Sequence, residues 1–178
     1  ATRGIFAQAV SLGVEATRLG VAGDSAGATL AAAVAQSLTA AGQPRLALQF
    51  LLCPILDYRA ETASREDFGS GHLLDRETLE HDLRHYLGEQ TDPADPRISP
   101  LRAARLEGLP PACIHTAECD PLRDEAAEYA ARLQTAGVAA SYCCHSGMIH
   151  LFYALRDVIP YGAQAYRQMG ADIRALLD

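Results

Sequence analysis

The feature that most constrains this chain is the run Gly23-Asp24-Ser25-Ala26-Gly27, set between a short apolar stretch and an alanine-rich one. Leu19 to Gly23 reads as a strand, and Ala26 to Ala41, stopped by Gly42 and Pro44, reads as a helix. A G-x-S-x-G between a strand and a helix marks a sharp turn that holds its serine in a strained backbone conformation and exposes the hydroxyl. Gly23 and Gly27 are expected to be required because side chains there would collide with the adjoining strand and helix. The alternative is that Ser25 only caps the following helix by accepting a backbone N–H.

What surrounds this turn sets the fold class. Ile5, Phe6, Ala9, Leu12 and Gly13 recur at helical spacing and predict a first helix that ends near Arg18 and Leu19, with one side facing a core. Leu46 to Cys53 is a nearly continuous apolar run closed by Pro54, the pattern of a parallel strand covered on both faces. From residue 57 to 111 the chain turns polar and crosses the rim of a sheet, with one amphipathic helix over Arg76 to Leu87 and a proline-rich stretch from Asp92 to Pro100. The sheet pattern then resumes with a strand at Ala112 to Ala117, a helix at Pro121 to Ala136 and a strand at Val138 to His145. A final helix runs from Tyr161 to Leu177. Strands alternating with helices predict an α/β fold, a parallel sheet with helices on both faces. With 178 residues, 49% of them hydrophobic, the chain reads as one domain spanning residues 1–178.

A serine hydroxyl is a weak nucleophile at neutral pH, so Ser25 needs a histidine to take its proton and a carboxylate to fix that histidine's tautomer. On an α/β sheet with this turn, the order along the chain is serine, acid, histidine, with the partners after later strands. Asp120 fits the acid, at the end of the strand Ala112 to Ala117. His150 fits the base, in the loop after His145 and behind Gly147. Each has a blander reading: Asp120 followed by Pro121 is a good helix start, and His150 could be a core histidine. His115 falls inside a strand and His145 at a strand's end. His81 and His85 share a helical face, but without an H-E-x-x-H pattern or a third ligand they read as a solvated surface, and no metal or cofactor is expected.

Charge and cysteine content narrow the partners. The net charge is −7, and the basic residues are all arginines scattered along the chain, so nucleic acid is not an expected partner. No stretch approaches the roughly 20 apolar residues of a membrane span, and no leader pattern is visible, which points to a cytoplasmic setting without a membrane partner. Cys53, Cys113, Cys119, Cys143 and Cys144 show no C-x-x-C spacing and read as reduced core residues.

With these residues in place, the chain resembles the hormone-sensitive-lipase-like serine esterases, bacterial family IV of the α/β-hydrolase fold. The resemblance rests on Gly23-Asp24-Ser25-Ala26-Gly27, Cys53-Pro54-Ile55-Leu56-Asp57, Ile98-Ser99-Pro100-Leu101 and Gly108-Leu109-Pro110-Pro111-Ala112. It rests equally on Glu118-Cys119-Asp120-Pro121-Leu122-Arg123-Asp124-Glu125 and Gly147-Met148-Ile149-His150-Leu151-Phe152. It implies Ser25 as nucleophile, Asp120 as acid and His150 as base, acting on a small-molecule ester with a short to medium acyl chain through an acyl-enzyme. Because the base must be neutral, activity should fall on acidification. Phe68, Leu73 and Leu74 are candidates for the pocket wall. Ala28 and Leu151 depart from the family pattern in small ways. The larger departure is that the family's upstream His-Gly-Gly-Gly-type loop has no counterpart, since the chain contains no Gly-Gly pair. The backbone N–H of Ala26 is then the remaining oxyanion donor. The resemblance further implies that the first strands and the cap of the fold are lacking. The strand at Leu19 to Gly23 would then be an edge, to be covered by the missing N-terminal part of a protein of about 300 residues or by a second copy. It also implies a possible homodimer through Val138 to His145 and the last helix. Two other readings stay open, a catalytically silent fragment and a ligand-binding protein of the same fold.

Overall fold

The computed structural model describes residues 1–87 and 92–177. Its centre is a parallel sheet of four strands in sequential order, β1 (Val21–Asp24), β2 (Gln49–Leu52), β3 (Ala112–Cys119) and β4 (Ala140–Ile149). Helices α2 (Ala26–Ala40) and α5 (Arg123–Thr135) pack on one face, and α6 (Gly162–Leu177) packs on the other. The alternation of side chains along each strand divides the core accordingly. Leu51 and Ile114 meet Ala126, Tyr129 and Leu133 on one side, while Leu52 and Ala117 meet Ala165 and Met169 on the other. Both faces are covered, which is why the strands read as apolar runs rather than alternating ones. The α/β class and the parallel sheet expected from the sequence are present.

Alanine is what lets α2 lie close to the sheet. Ala28, Ala31, Ala32 and Ala35 are buried and present no bulk that would hold the helix off β1 and β2. At its other edge β1 pairs only with β2 among the described residues, so its outer side carries no ladder partner there.

The first helix departs from expectation. Helix α1 spans Thr2–Gln8 and is followed by turns and a 3-10 turn at Ala16–Arg18, so it ends well before Arg18. Gly13, at φ 66°, lies in those turns, in a conformation that glycine adopts freely. No residue of α1 is buried, and Val10 is 94% exposed. Within α1 Phe6 packs on the core, against Ala35, Leu38 and Leu46, and Ala9, directly after the helix, is buried. The periodicity recorded an apolar face, but nothing among the described residues lies opposite most of it.

The excursion over residues 57–111 carries α3 (Ala63–Asp67) and α4 (Arg76–Leu87), with residues 88–91 outside the described set. Helix α4 falls where its pattern placed it, and His81 and His85 lie exposed on its surface. What ties the excursion down is polar. Glu125, fully buried on α5, accepts from the Leu56 N–H at 2.7 Å and from the Arg65 guanidinium at 2.8 Å. Burial pushes the Glu125 carboxyl up to about 7, against the opposing pull of Arg65 and the backbone donors. Arg102 bonds Asp57 at 2.8 Å, and Ser99 accepts from the Tyr58 N–H and donates to the Pro93 carbonyl. The Ile98-Ser99-Pro100-Leu101 and Asp124-Glu125 motifs therefore serve as anchors for this loop.

Cysteine placement was only partly anticipated. Cys53 and Cys113 are buried, but Cys144 is exposed on the outer strand β4, where alternation turns one face to solvent.

Candidate active site

Ser25 follows the last residue of β1 and sits at φ 50° and ψ −122°, a backbone conformation costly for any residue with a side chain. It is held there from both sides. Its N–H donates to Leu52 at 2.9 Å, and its carbonyl accepts the Ala28 and Thr29 N–H groups. Its hydroxyl makes no capping bond to α2, so the helix-cap reading is not the one the structure shows. Of the two flanking glycines, only Gly23 proves sterically necessary. A Cβ on Gly23 would lie 2.2 Å from backbone atoms of Gly27, whereas one on Gly27 would meet only Asp24 Oδ1, at 3.8 Å. The turn brings the strand against the helix through Gly23, and Gly27 points into space.

The two downstream partners reach Ser25 through strand register. In β3 and β4, Ala117 pairs with His145 and Cys119 pairs with Ile149, so β4 carries two more residues than β3 over that interval. This bulge contains Gly147 at φ 70°. Beyond it the next residues, Asp120 and His150, emerge side by side at the carboxyl ends of adjacent parallel strands. That is a correction to the sequence reading. The strand does not stop at His145 to leave His150 in a loop but continues to Ile149, because Ser146-Gly147 forms a bulge rather than a turn. Glu118 pins the bulge, accepting from the Ser146 hydroxyl at 2.7 Å and the Gly147 N–H at 2.6 Å.

The three side chains form one hydrogen-bonded line. His150 Nε2 lies 3.1 Å from Ser25 Oγ, and His150 Nδ1 lies 2.8 Å from Asp120 Oδ2. An ionised carboxylate only accepts, so the proton of a neutral His150 belongs on Nδ1 and the Nε2 lone pair faces the serine. Asp120 and His150 are buried, while Ser25 keeps partial exposure. Asp120 also plays the local role weighed against it, since its Oδ1 accepts from the Leu122 N–H at 2.9 Å just ahead of α5. One carboxylate oxygen shapes the turn and the other meets the histidine. Ala26 begins α2, and its N–H is among those a helix's own carbonyls cannot satisfy.

Sequence reasoning missed two neighbours of this line. Cys53 is fully buried at φ 44°, and its sulfur lies within 4.8 Å of a ligand atom from each of Asp120 and His150. Burial pushes its thiol well up, and the Asp120 charge adds to that, so it stays protonated beside the carboxylate. The available signal was a cysteine directly before Pro54 at the end of an apolar strand. Tyr153 donates its hydroxyl to Asp24 Oδ2 at 3.3 Å, bracing the turn from the far side. Phe68, Leu73 and Leu74 lie outside the cavity beside them. A cavity of about 850 Å³ lies over the excursion, lined by Tyr58, Arg65, Leu79 and Pro121 among others, and includes none of the three and no member of the Ser25 line. Leu74 packs instead on Ile55, Leu79 and Leu122, and Leu73 is exposed.

A family profile described as alpha/beta hydrolase fold matches residues 1–154. The chain belongs to the α/β-hydrolase family. Among its relatives in that family, an ethyl acetate hydrolase from Pseudomonas putida is 38% identical over 162 residues, covering 89% of this chain and 50% of the relative. The carboxylesterase NlhH of Mycobacterium tuberculosis is 36% identical over 181 residues, covering 99% of this chain and 56% of the relative. Solved α/β-hydrolase structures agree. An ester hydrolase from the metagenome of Lake Arreo superposes with a TM-score of 0.92 at 41% identity, covering 96% of this chain and 54% of that one. A thermostable esterase from Pseudomonas putida superposes with a TM-score of 0.92 at 38% identity, covering 99% of this chain and 57% of that one. The chain spans about half the length of the curated relatives it matches. These names accord with the hormone-sensitive-lipase-like branch that the motifs resemble.

Proposed function

We propose that this chain carries the acylation machinery of a carboxylic-ester hydrolase, with Ser25 as nucleophile, His150 as base and Asp120 as the acid that orients it. The observation that carries the reading is the unbroken hydrogen-bonded line from Ser25 Oγ through both His150 nitrogens to Asp120. In the reaction, Ser25 Oγ attacks the ester carbonyl as its proton passes to His150 Nε2, and the cation so formed is stabilised by Asp120. The tetrahedral oxyanion is met by the Ala26 N–H. Collapse breaks the bond to the alcohol, which leaves with the proton from His150, and Ser25 remains acylated. A water deprotonated by the same histidine then attacks the acyl-enzyme and releases the acid.

The relatives' names, an ethyl acetate hydrolase and carboxylesterases, support small esters with short acyl chains as the substrate class. A buried, correctly placed His150 argues against the ligand-binding reading, which has no use for a base at that position. Each oxyanion donor is worth on the order of a hundredfold to a thousandfold in turnover, in acylation and deacylation alike, and the reading assigns one of them to the Ala26 N–H. The test compares release of 4-nitrophenol from acetyl, butyryl and palmitoyl esters by the wild-type protein and by Ser25→Ala. The reading predicts preference for the two shorter esters and a loss of at least about a thousandfold in Ser25→Ala at unchanged far-ultraviolet circular dichroism. Equal rates in wild type and Ser25→Ala would remove it.

A further inference from the structure

On the face of the sheet covered by α6, away from Ser25, three ligand-type side chains converge. His115 pairs with Cys143 across β3 and β4, and His145 stands two residues further along β4, so period-two alternation turns all three to the same side. One ligand atom from each of His115, Cys143 and His145 lies within 4.8 Å of the other two. The histidine rings meet edge to edge, their planes 21° apart, with His115 Nδ1 2.9 Å from His145 Nε2. Of their outward nitrogens, only that of His145 is hydrogen-bonded. His145 Nδ1 lies 2.9 Å from the Tyr161 hydroxyl, and His115 Nε2 faces Asp172 Oδ2 of α6 at 3.4 Å.

Hydrogen bonding alone does not satisfy this arrangement. His115 is fully buried, and its Nε2 has no partner of acceptable geometry, the Asp172 contact being long and misaligned. A buried polar atom left without a partner costs on the order of 1–3 kcal/mol and calls for an explanation. From these placements we infer that His115, Cys143 and His145 form a binding site for a zinc ion, separate from the Ser25 line.

The donor set suits Zn²⁺, which takes imidazole nitrogen and thiolate sulfur in tetrahedral geometry. His115 Nδ1 and His145 Nε2 face each other and would be the ligating nitrogens. Zinc at about 2.0–2.1 Å from each nitrogen requires them to part by a few tenths of an ångström, a movement open to β4 as the outer strand of the sheet. Ligation then leaves the proton of each ring on its outer nitrogen. His145 Nδ1–H then donates to the Tyr161 oxygen, and the turn of the His115 ring as the two nitrogens part would aim its Nε2–H at the Asp172 carboxylate, now 3.4 Å away, the supporting contacts that ligating histidines ordinarily make. Cys143 loses its thiol proton to solvent on binding. Cys143 and Asp172 are both partly exposed, which provides the entry path and puts solvent on the side from which a fourth ligand would come. Such an ion would tie β3, β4 and α6 together on the same strand that delivers His150.

The experiment titrates Co²⁺, and then competing Zn²⁺, into the reduced, metal-free protein. One equivalent of Co²⁺ is expected to give a thiolate-to-cobalt absorption band that Zn²⁺ abolishes, with Zn²⁺ raising the melting temperature. Cys143→Ser should eliminate the band, whereas Cys53→Ser and Cys144→Ser keep it. Asp172→Asn should keep the band but weaken Zn²⁺ binding by about 10- to 100-fold. Absence of a one-to-one thiolate band, its survival in Cys143→Ser, or its loss in Cys53→Ser would overturn the site. If Cys143→Ser fails to fold, an unchanged Zn²⁺ affinity in Asp172→Asn, whose side chain sits at the rim, overturns it equally.

Discussion

At the residue scale, strain and close approach concentrate where the chemistry is proposed. Of the four non-glycine residues at positive φ among the described residues, Leu73 lies in the excursion, and Ser25, Cys53 and Leu151 lie at the serine turn, beside Asp120 and directly after His150. Such conformations persist only where the surroundings over-determine them. The serine turn was legible because its pattern is local: a glycine that must let the strand meet the helix, then a serine, then a small residue. Cys53 was not legible, because its role depends on Asp120, which is distant in sequence. The two glycines give a paired prediction in chemical denaturation. Gly23→Ala should destabilise by about 1–3 kcal/mol, since backbone atoms of Gly27 already occupy the place of the new methyl. Gly27→Ala, inside α2 with open space around it, should be neutral or stabilise by up to about 1 kcal/mol. Equal losses in both would contradict the steric account.

At the element scale, the strands and helices were readable wherever burial on both faces or on one helical stripe imposed a period. That is why α4 and the order of the sheet elements emerged from the sequence. The continuation of β4 did not, because Ser146-Gly147 carries the composition of a turn while the structure uses it as a bulge. Glu118 is the residue that holds this bulge, and the Gly147 N–H and Ser146 hydroxyl keep its carboxyl below the usual value of 4.5. Its folded-state value lies under its unfolded one, so the contribution is complete above about pH 4.5 and disappears as the pH falls through the lowered folded value. Glu118→Gln should therefore lower the denaturation midpoint at neutral pH and approach wild type under acid conditions. A midpoint difference independent of pH would contradict the clamp. On α5, Leu133 is fully buried between helix and sheet, and Leu133→Ala should cost about 2–5 kcal/mol by urea denaturation, against a negligible effect for the exposed Leu30→Ala.

At the scale of the whole molecule, a four-stranded parallel sheet sets Ser25, Asp120 and His150 at the carboxyl ends of β1, β3 and β4, where ligands of open α/β sheets bind. The sheet supplies the geometry and the loops supply the residues, so the order serine, acid, histidine could be read before any coordinates. The excursion over residues 57–111 could not be read in the same way. Its position depends on Glu125, Arg65, Asp57 and Ser99 meeting across long sequence separations, and no local period records such bonds. The account's central claim is that Ser25 is a nucleophile activated by His150. The most direct measurement is treatment of the folded protein with a fluorophosphonate, followed by mass-spectrometric mapping of the modified peptide. The account predicts modification at Ser25, labelling slowed by at least about a thousandfold in His150→Ala, and a large reduction in Asp120→Asn. Labelling at another residue, or Ser25 labelling indifferent to His150→Ala, would contradict it.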